Sequence, residues 1–283
     1  MPQYAAVALD LDGTLLRSDG TLSDLSVATL RALASRRHRI VYVTARHLEA
    51  ARLVTDQVGV PADVASSLGA ALHELPGGEP VRDRSLPAGT ARAVAERLAH
   101  AAPGTSFGWV EQGKAYVQPT YPDPFGTAHI AESPGCLPTN PVAKLFAKNI
   151  TAEPGAFWGA AVEAAAAAGA RSLPASAGLA EFVLPGVDKG AVLQAWCSLR
   201  GIDERSVVAF GDSLPDLPLL AAAGLGLAVG NSVEKVRAAA DAVVGGNDDD
   251  GVALALHDLF QLSTEEVRLH TDAPQCDGAS LSK

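Results

Sequence analysis

Two acidic pairs follow apolar runs at opposite ends of the chain. Asp10 and Asp12 lie in the run DLDGT (residues 10–14), directly after the apolar residues 5–9. Asp212 and Asp216 follow the apolar residues 207–210. Carboxylates that converge on one edge of a sheet repel each other unless a cation lies among them, and an all-oxygen set suits Mg²⁺. For either pair alone, a solvated acidic turn or a helix cap is the alternative interpretation.

A hydroxyl group and a lysine occupy comparable positions. Thr44 ends the apolar run 40–43 and precedes a helix that we expect to begin near His47, so its hydroxyl can face an anion. Lys189 opens another predicted helix. Either residue alone is equally compatible with a strand end, a cap or an exposed lysine. Together with the two acidic pairs, they indicate phosphoryl transfer in which a carboxylate attacks a phosphorus held by a metal and by cationic and N–H donors.

The elements that must position these residues are short buried strands alternating with amphipathic helices. The runs without polar alternation, as expected for strands buried on both faces of a parallel sheet, are 5–9, 40–43, 63–66, 207–210, 225–229 and 242–244. Helical periodicity follows Ser23, His47 and Lys189. The pattern predicts an α/β fold with a Rossmann-like, doubly wound parallel sheet, which places ligands at the carboxyl ends of its strands.

The middle of the chain differs in composition and predicts an inserted domain. Residues 81–183 are richer in proline, glycine and aromatic residues than the flanking segments. Helical stretches at 88–101 and 157–168 are interleaved there with strand-like runs at 107–110, 114–118, 143–147 and 179–183. We therefore expect a catalytic core at 1–80 and 184–270, an inserted α+β cap at 81–183, and a flexible tail at 271–283.

Composition excludes several classes of protein. The chain has 283 residues, of which 48% are hydrophobic and 19% charged, so a globular protein is expected rather than a disordered one. A net charge of −10 argues against nucleic acid as a partner. The first residues lack a basic segment and the longest apolar stretch, 217–229, is too short to cross a membrane. Three distant cysteines suit a reducing compartment, so we expect a cytoplasmic protein.

The order of these motifs resembles the haloacid dehalogenase (HAD) superfamily. The resemblance rests on DLDGT, a strand ending in Thr44, Lys189 within VDKG, and GDSLPD at 211–216. The insertion after the third strand and the later AVGNS run are similar to the Cof-type phosphatases, which carry a class IIB cap. The resemblance covers about residues 5–260 and implies a phosphatase, a hydrolase of phosphoric monoesters.

Residue roles follow from the resemblance alone. It implies that Asp10 is the nucleophile that forms an aspartyl-phosphate, and that Asp12 is the general acid and base. It implies Mg²⁺ as cofactor, bound by Asp10, the backbone carbonyl of Asp12, and Asp212, with Asp216 in or just behind that shell. The phosphoryl group would be bound by four residues: Thr44, Lys189, Gly13 and Ala45.

Three positions depart from the pattern of the resemblance. Ala45 stands where glycine usually follows the threonine, which requires a backbone φ below zero. Pro215 replaces an asparagine before the last acidic residue, so it removes an amide side chain and a backbone donor. Leu68 stands where an asparagine is common, which removes a polar contact near the substrate or the cap. None of the three replaces a residue that the chemistry requires.

The predicted substrate is a small phosphate ester, with a sugar or polyol phosphate as the leading candidate. A sugar phosphomutase, a phosphatase of a nucleotide-like, flavin-precursor or pyridoxal phosphate, and a catalytically silent binder remain open, as does a monomer or a small homo-oligomer. Candidate leaving-group contacts are His47 in the core and, in the cap, Trp109, Tyr116, Tyr121, His129 and Lys144. For each of these cap residues, packing within the cap or exposure to solvent is the alternative.

Overall fold

The computed structural model describes residues 4–122, 128–131, 133 and 135–271. The predicted flexible tail at 271–283 lies, apart from Thr271, outside these residues. Fourteen strands are described: β1 Ala6–Leu9, β2 Arg39–Val43, β3 Asp63–Ser66, β4 Ala71–Glu74, β5 Pro80–Asp83, β6 Ser106–Glu111, β7 Lys114–Val117, β8 His129–Ile130, β9 Lys144–Lys148, β10 Arg171–Ser176, β11 Leu179–Val183, β12 Val207–Gly211, β13 Leu225–Ala228 and β14 Ala242–Val243.

In the part of the chain that the structure describes, nine α-helices accompany these strands. They are α1 Asp24–Ser35, α2 Leu48–Val58, α3 Ala88–Ala101, α4 Pro154–Ala168, α5 Lys189–Arg200, α6 Leu217–Ala222, α7 Glu234–Ala239, α8 Gly251–Phe260 and α9 Thr264–Thr271. Short helical turns lie at Leu11–Leu15, Ser67–Gly69, Glu204–Ser206, Leu214–Asp216 and Asn247–Asp249. No helix in the described part of the chain is long and apolar enough to cross a membrane.

The larger sheet has eight strands in the order β14-β13-β12-β1-β2-β3-β4-β5. The strands from β14 to β3 are parallel, and β4 and β5 add an antiparallel edge. Every residue of β1 is buried, as the run without polar alternation predicts. One face packs against α1, α2 and α8, and the other against α5, α6 and α7. The predicted doubly wound α/β fold is therefore confirmed.

Helix α5 is held rigidly against this sheet, which fixes the position of Lys189 at its first turn. The side chain of Asp188 caps the helix by accepting a hydrogen bond from the Ala191 amide at 2.8 Å. Farther along, the Trp196 indole donates to the buried Asp63 carboxylate at 2.7 Å. Arg200 also donates to Asp63 from the last turn. Both ends of α5 are thus tied down by polar contacts.

The smaller sheet has six strands in the order β10-β11-β9-β6-β7-β8. Its pairs are antiparallel except β7 with β8. Helices α3 and α4 cover one face and enclose an apolar cluster that includes Leu98, Phe107 and Phe157. This is an α+β unit inserted between β5 and α5, which we call the cap. Because β5 pairs with β4 in the larger sheet, residue 81 falls inside a strand of the core, and we propose that the cap begins after Asp83.

Candidate active site

The chemistry-bearing residues meet at the carboxyl edge of the larger sheet. Asp10 follows β1, Thr44 follows β2 and Asp212 follows β12, and β1 lies between β2 and β12. The chain crosses from β1 to β2 on one side of β1, whereas β12, β13 and β14 lie on the other side. Such a reversal opens a crevice at the strand ends, where open α/β sheets bind ligands.

A buried lysine joins two of the acidic side chains. Lys189 Nζ lies 2.5 Å from Asp10 Oδ1 and 2.5 Å from Asp216 Oδ1. Asp10 is 4% exposed, Lys189 2% and Asp216 0%. The second Asp10 oxygen accepts a hydrogen bond from the Thr14 hydroxyl at 3.1 Å, and the same hydroxyl lies 3.2 Å from Asp212 Oδ1. Asp10 and Asp216 thus share one buried ammonium group, and Thr14 links Asp10 to the partly buried Asp212.

Burial and like charge perturb these groups strongly. Burial first, and then the Asp216 carboxylate, raise the pKa of Asp10 to about 8, although Lys189 acts in the opposite direction. The same two causes raise the pKa of Asp212. Burial alone would lower the pKa of Lys189, but the Asp10 and Asp216 carboxylates outweigh it and raise the pKa above its ordinary value. With all three carboxyl groups ionised, the network would carry more negative charge than one lysine neutralises.

Gly13 allows the loop after Asp10 to pass close to Asp212. Its φ of 75° lies in the left-handed region, and a Cβ at this position would come within 2.7 Å of Asp212 Oδ2. The Gly13 carbonyl accepts a hydrogen bond from Asn231 Nδ2 at 2.7 Å. Asn231 belongs to the AVGNS run, whose role the sequence left unassigned. Both contacts hold the loop backbone beside the acidic network.

Asp216 is oriented by its own turn, without help from the residue before it. Its Oδ2 accepts hydrogen bonds from the Ser213 amide and hydroxyl, both at 2.9 Å, and lies 3.2 Å from the Asp212 amide nitrogen. Pro215 lies within the first turn that follows Ser213, where a missing N–H costs little. The hydrogen bonds to Asp216 therefore do not depend on a side-chain amide at position 215.

Asp12 points away from the buried network. Its carboxylate receives two hydrogen bonds from Arg46, at 2.7 Å from Nε and 2.5 Å from Nη2. The Asp12 side chain is 49% exposed, whereas that of Arg46 is 13% exposed. Sequence reasoning missed Arg46, although its place two residues after Thr44 puts it on the same loop. The bidentate contact fixes the direction of a carboxyl group that faces the cavity between core and cap.

The loop after β2 also contacts the cap. Thr44 is fully buried, and its hydroxyl accepts a hydrogen bond from the Arg46 amide at 3.0 Å. The Ala45 carbonyl accepts a hydrogen bond from Lys144 Nζ of the cap at 2.8 Å. Ala45 is not among the described residues with positive φ, so alanine is tolerated there. Leu68, in contrast, has a φ of 63°, a strained value for leucine.

A cavity of about 560 Å³ separates core and cap. Asp12, Arg46 and His47 line its core side, and the cap candidates Tyr121 and Lys144 line the opposite side. The other cap candidates are not on this surface. Trp109 stacks on Tyr116 with ring centroids 6.0 Å apart, on the face that packs against α3 and α4. His129 is exposed and its Nε2 lies 3.6 Å from Glu49.

Three carboxylates are close enough to share a cation. One oxygen each from Asp10, Asp212 and Asp216 lie within 4.8 Å of one another. An all-oxygen set in which the pKa values of Asp10 and Asp212 are raised suits a hard divalent cation such as Mg²⁺, since its charge would balance the excess of carboxylates. The side chain of Asp12 is not part of this set, so only its backbone carbonyl could join it, as the resemblance implies.

Comparison with known proteins identifies the family. Residues 7–256 match the family model described as haloacid dehalogenase-like hydrolase. The chain belongs to this family. It is a phosphatase of the Cof type, and the predicted resemblance is thereby confirmed.

One curated relative is similar to nearly the whole chain, and another to about a quarter of it. The chain is 25% identical over 270 residues to 5-amino-6-(5-phospho-D-ribitylamino)uracil phosphatase YitU of Bacillus subtilis, covering 90% of this chain and 97% of that protein. A shorter match, 47% identical over 75 residues, covers 26% of this chain and 32% of the phosphoglycolate phosphatase of Methanopyrus kandleri.

Solved structures of HAD-like hydrolases show the same fold. A haloacid dehalogenase-like hydrolase from Bacteroides thetaiotaomicron superposes with a TM-score of 0.81 at 24% identity, covering 91% of this chain and all of that one. The HAD subclass IIB sugar phosphatase BT4131 superposes with a TM-score of 0.74 at 19% identity, covering 91% and 99%. These likenesses confirm the predicted α/β fold with a cap.

Proposed function

We propose that this chain is a Mg²⁺-dependent phosphomonoester hydrolase that works through an aspartyl-phosphate. The observation that carries the proposal is the placement of Asp10, a buried carboxylate that lies between Lys189 and Thr14 at the carboxyl edge of the larger sheet. The family is one of hydrolases, and YitU, similar over nearly its whole length, is a phosphatase. The substrate is a small phosphorylated metabolite.

In the first step, an Asp10 carboxylate oxygen attacks phosphorus as the bond from phosphorus to the ester oxygen breaks. Asp12 gives its proton to the departing oxygen, which leaves as an alcohol. Lys189 and the N–H groups of the loops at Gly13 and Thr44 bind the phosphoryl oxygens. Asp12 suits the proton transfer because its half-exposed side chain lines the cavity, whereas Asp10 is buried.

In the second step, water hydrolyses the aspartyl-phosphate. The Asp12 carboxylate accepts a proton from the water that attacks phosphorus, and the bond from phosphorus to the Asp10 oxygen breaks. Inorganic phosphate is released, and the Asp10 carboxylate is restored with Asp12 protonated for the next cycle. Arg46 holds Asp12 toward the cavity in both steps.

Mg²⁺ would be held by Asp10, Asp212 and the Asp12 backbone carbonyl, with Asp216 as a further ligand or directly behind them. When bound, it supplies positive charge that stabilises the phosphoryl oxygens during transfer. The three carboxylates fit this role because their oxygens are close together and under-neutralised by Lys189. Thr14 and Ser213 orient two of them by hydrogen bonds.

The test is phosphate release from a panel of phosphorylated metabolites, including sugar and polyol phosphates, in Mg²⁺ and in EDTA. Wild type is compared with Asp10→Asn and with Asp258→Asn, a matched change at an exposed carboxylate on α8. We expect Mg²⁺-dependent release that disappears in Asp10→Asn and persists in Asp258→Asn. Full activity in Asp10→Asn would overturn the nucleophile assignment.

Two alternative functions are separated by the same panel. Isomerised sugar phosphate without free phosphate would identify a phosphomutase. Thermal stabilisation by a phosphate ester with no turnover of any compound would identify a silent binder. We favour hydrolysis because the nucleophile, acid and base, lysine and acidic positions are all present and converge.

A further inference from the structure

The cap wall of the cavity is a single face of the cap sheet. Residues on alternate positions of a strand point to opposite faces. Val110, Val117 and Phe146 line the cavity, while their neighbours Trp109 and Leu145 pack against the cap helices. Among the described strand residues on the cavity face, all but two are apolar. The cap therefore presents a mainly hydrocarbon surface to the leaving group.

Two aromatic rings form a corner on this wall. Phe146 lies over β6 at Gly108, where a Cβ would collide with the ring atom Cε2. Tyr121 meets Phe146 edge to face, with centroids 5.1 Å apart and planes at 73°. The glycine thus lets the Phe146 ring lie close to the sheet, and Tyr121 stands across its edge. Such a corner accommodates a flat ring better than a puckered polyol.

The two polar strand residues of the wall form one buried pair. Lys144 on β9 donates a hydrogen bond to Glu181 Oε1 on β11, and the two side chains are 8% and 11% exposed. Lys144 Nζ also donates to the Ala45 carbonyl of the core and lies 5.7 Å from the Phe146 ring centroid. The pair offers an ammonium donor and a carboxylate acceptor side by side at the edge of the aromatic corner.

The core side of the cavity continues the apolar surface. The three positions where the sequence departs from the pattern of the resemblance, Ala45, Leu68 and Pro215, all line the same cavity. The polar residues on this side are Asp12 and Arg46, which bond to each other, together with His47 and Ser213. The leaving group beyond them meets carbon from both domains.

We infer that the leaving group is a planar heteroaromatic ring with a donor and acceptor edge, rather than a polyhydroxylated sugar or polyol. The inference rests on the proposed phosphatase function and specifies its substrate class. The ring stacks in the corner formed by Phe146 and Tyr121, and its polar edge meets Lys144 and Glu181. Hydroxyl groups of a sugar would lose water against an apolar wall without gaining partners, which penalises binding strongly.

The experiment measures kcat/KM for phosphate release from two groups of substrates in Mg²⁺. Pyridoxal 5′-phosphate represents planar rings, and ribose 5-phosphate and glucose 6-phosphate represent sugars. Acetyl phosphate has a small leaving group without a ring, so its turnover reports phosphoryl transfer with few leaving-group contacts. We expect kcat/KM for the ring substrate to exceed that for either sugar by about a hundredfold, because the sugar hydroxyl groups are left without hydrogen-bond partners.

Failure of the inference and failure of the function give different results. Turnover of acetyl phosphate and sugars, with ring substrates equal or worse, overturns the substrate class and leaves the phosphatase function standing. No turnover of any compound, acetyl phosphate included, overturns the function on which the inference rests.

A pair of matched variants tests the aromatic corner. Phe146→Leu removes the ring on the cavity face, and Tyr116→Leu removes one on the opposite face of the same sheet. We expect Phe146→Leu to lower the ratio of ring to sugar kcat/KM about tenfold, and Tyr116→Leu to change it less than twofold. Thermal denaturation shows whether each variant is folded. An unchanged ratio in a folded Phe146→Leu, or an equal loss in both variants, overturns the assignment.

Discussion

Replacing the nucleophile with its amide should stabilise the metal-free protein. Asp10 is buried beside Asp216, and its pKa of about 8 lies far above the ordinary 3.8. A carboxyl group whose pKa is higher in the folded than in the unfolded state stabilises the fold fully only when the pH is below its unfolded-state pKa. That contribution is lost as the pH rises toward 8. Asp10→Asn removes the titrating group, so this loss should disappear.

The expected magnitude follows from the same pKa difference. Each factor of ten in proton affinity corresponds to about 1.4 kcal/mol, so a rise from 3.8 to about 8 sets an upper limit of about 6 kcal/mol near pH 8. The amide has two N–H donors, of which one must face Lys189 or Thr14, and this offsets part of the gain. We expect a net stabilisation of about 2 kcal/mol, or a rise in Tm of about 4 to 8 °C for a chain of this size.

The assay is thermal denaturation in EDTA at several pH values between 4 and 8. The difference between Asp10→Asn and wild type should be smallest near pH 4, where the Asp10 carboxyl is protonated in the folded state and about half protonated in the unfolded state. It should grow toward pH 8. The control Asp258→Asn should show no such trend, because that carboxylate is exposed. Saturating Mg²⁺ should reverse the order, since only wild type retains the full ligand set.

An Asp10→Asn variant that is less stable than wild type in EDTA at pH 8 would refute this reasoning. It would mean that Lys189 neutralises Asp10 and Asp216 together, and that the carboxylates are not under-neutralised. The argument that the acidic network needs a divalent cation would then lose its electrostatic basis.

Three further perturbations test other parts of the structure. Lys189→Met should abolish phosphate release and lower the free energy of unfolding in EDTA at pH 8 by about 3 kcal/mol, because two buried carboxylates lose their partner. The control Lys235→Met, at an exposed lysine, should change neither phosphate release nor denaturation. Gly13→Ala should raise the Mg²⁺ concentration for half-maximal activity at least about tenfold, because its Cβ would push Asp212 aside. Burial lowers the pKa of His73, so the free energy of unfolding of wild type should fall as the pH drops below about 6.5, where only the unfolded chain gains a proton. In urea titrations, His73→Gln should weaken this dependence of stability on pH.

The core of the site could be predicted because its positions are set by local pattern. A buried parallel strand has a recognisable composition, and the residue after it must lie at the carboxyl edge of the sheet. Asp10, Thr44 and Asp212 follow three such strands, and all three lie where this reasoning places them. Arg46 escaped it because its contact with Asp12 joins two loops, and nothing in either loop alone indicates the pairing.

The cap could not be predicted to the same depth, because the facing of a strand depends on its register. Trp109 and Val110 are adjacent, yet one packs against the cap helices and the other lines the cavity. A one-residue change of register would exchange them. Gly108 was a usable signal, since a glycine within a strand indicates that another group approaches closely, and here that group is the Phe146 ring.

The contact between cap and core and the proposed contact with the leaving group involve the same side chain, that of Lys144. Lys144 belongs to the cavity wall through Glu181, and it also donates to the Ala45 carbonyl directly after Thr44. A leaving group that bonds to Glu181 changes the environment of Lys144, and therefore of the contact that joins cap to core. In the proposed function, the leaving group is therefore recognised by the same side chain that joins the cap to the loop after β2.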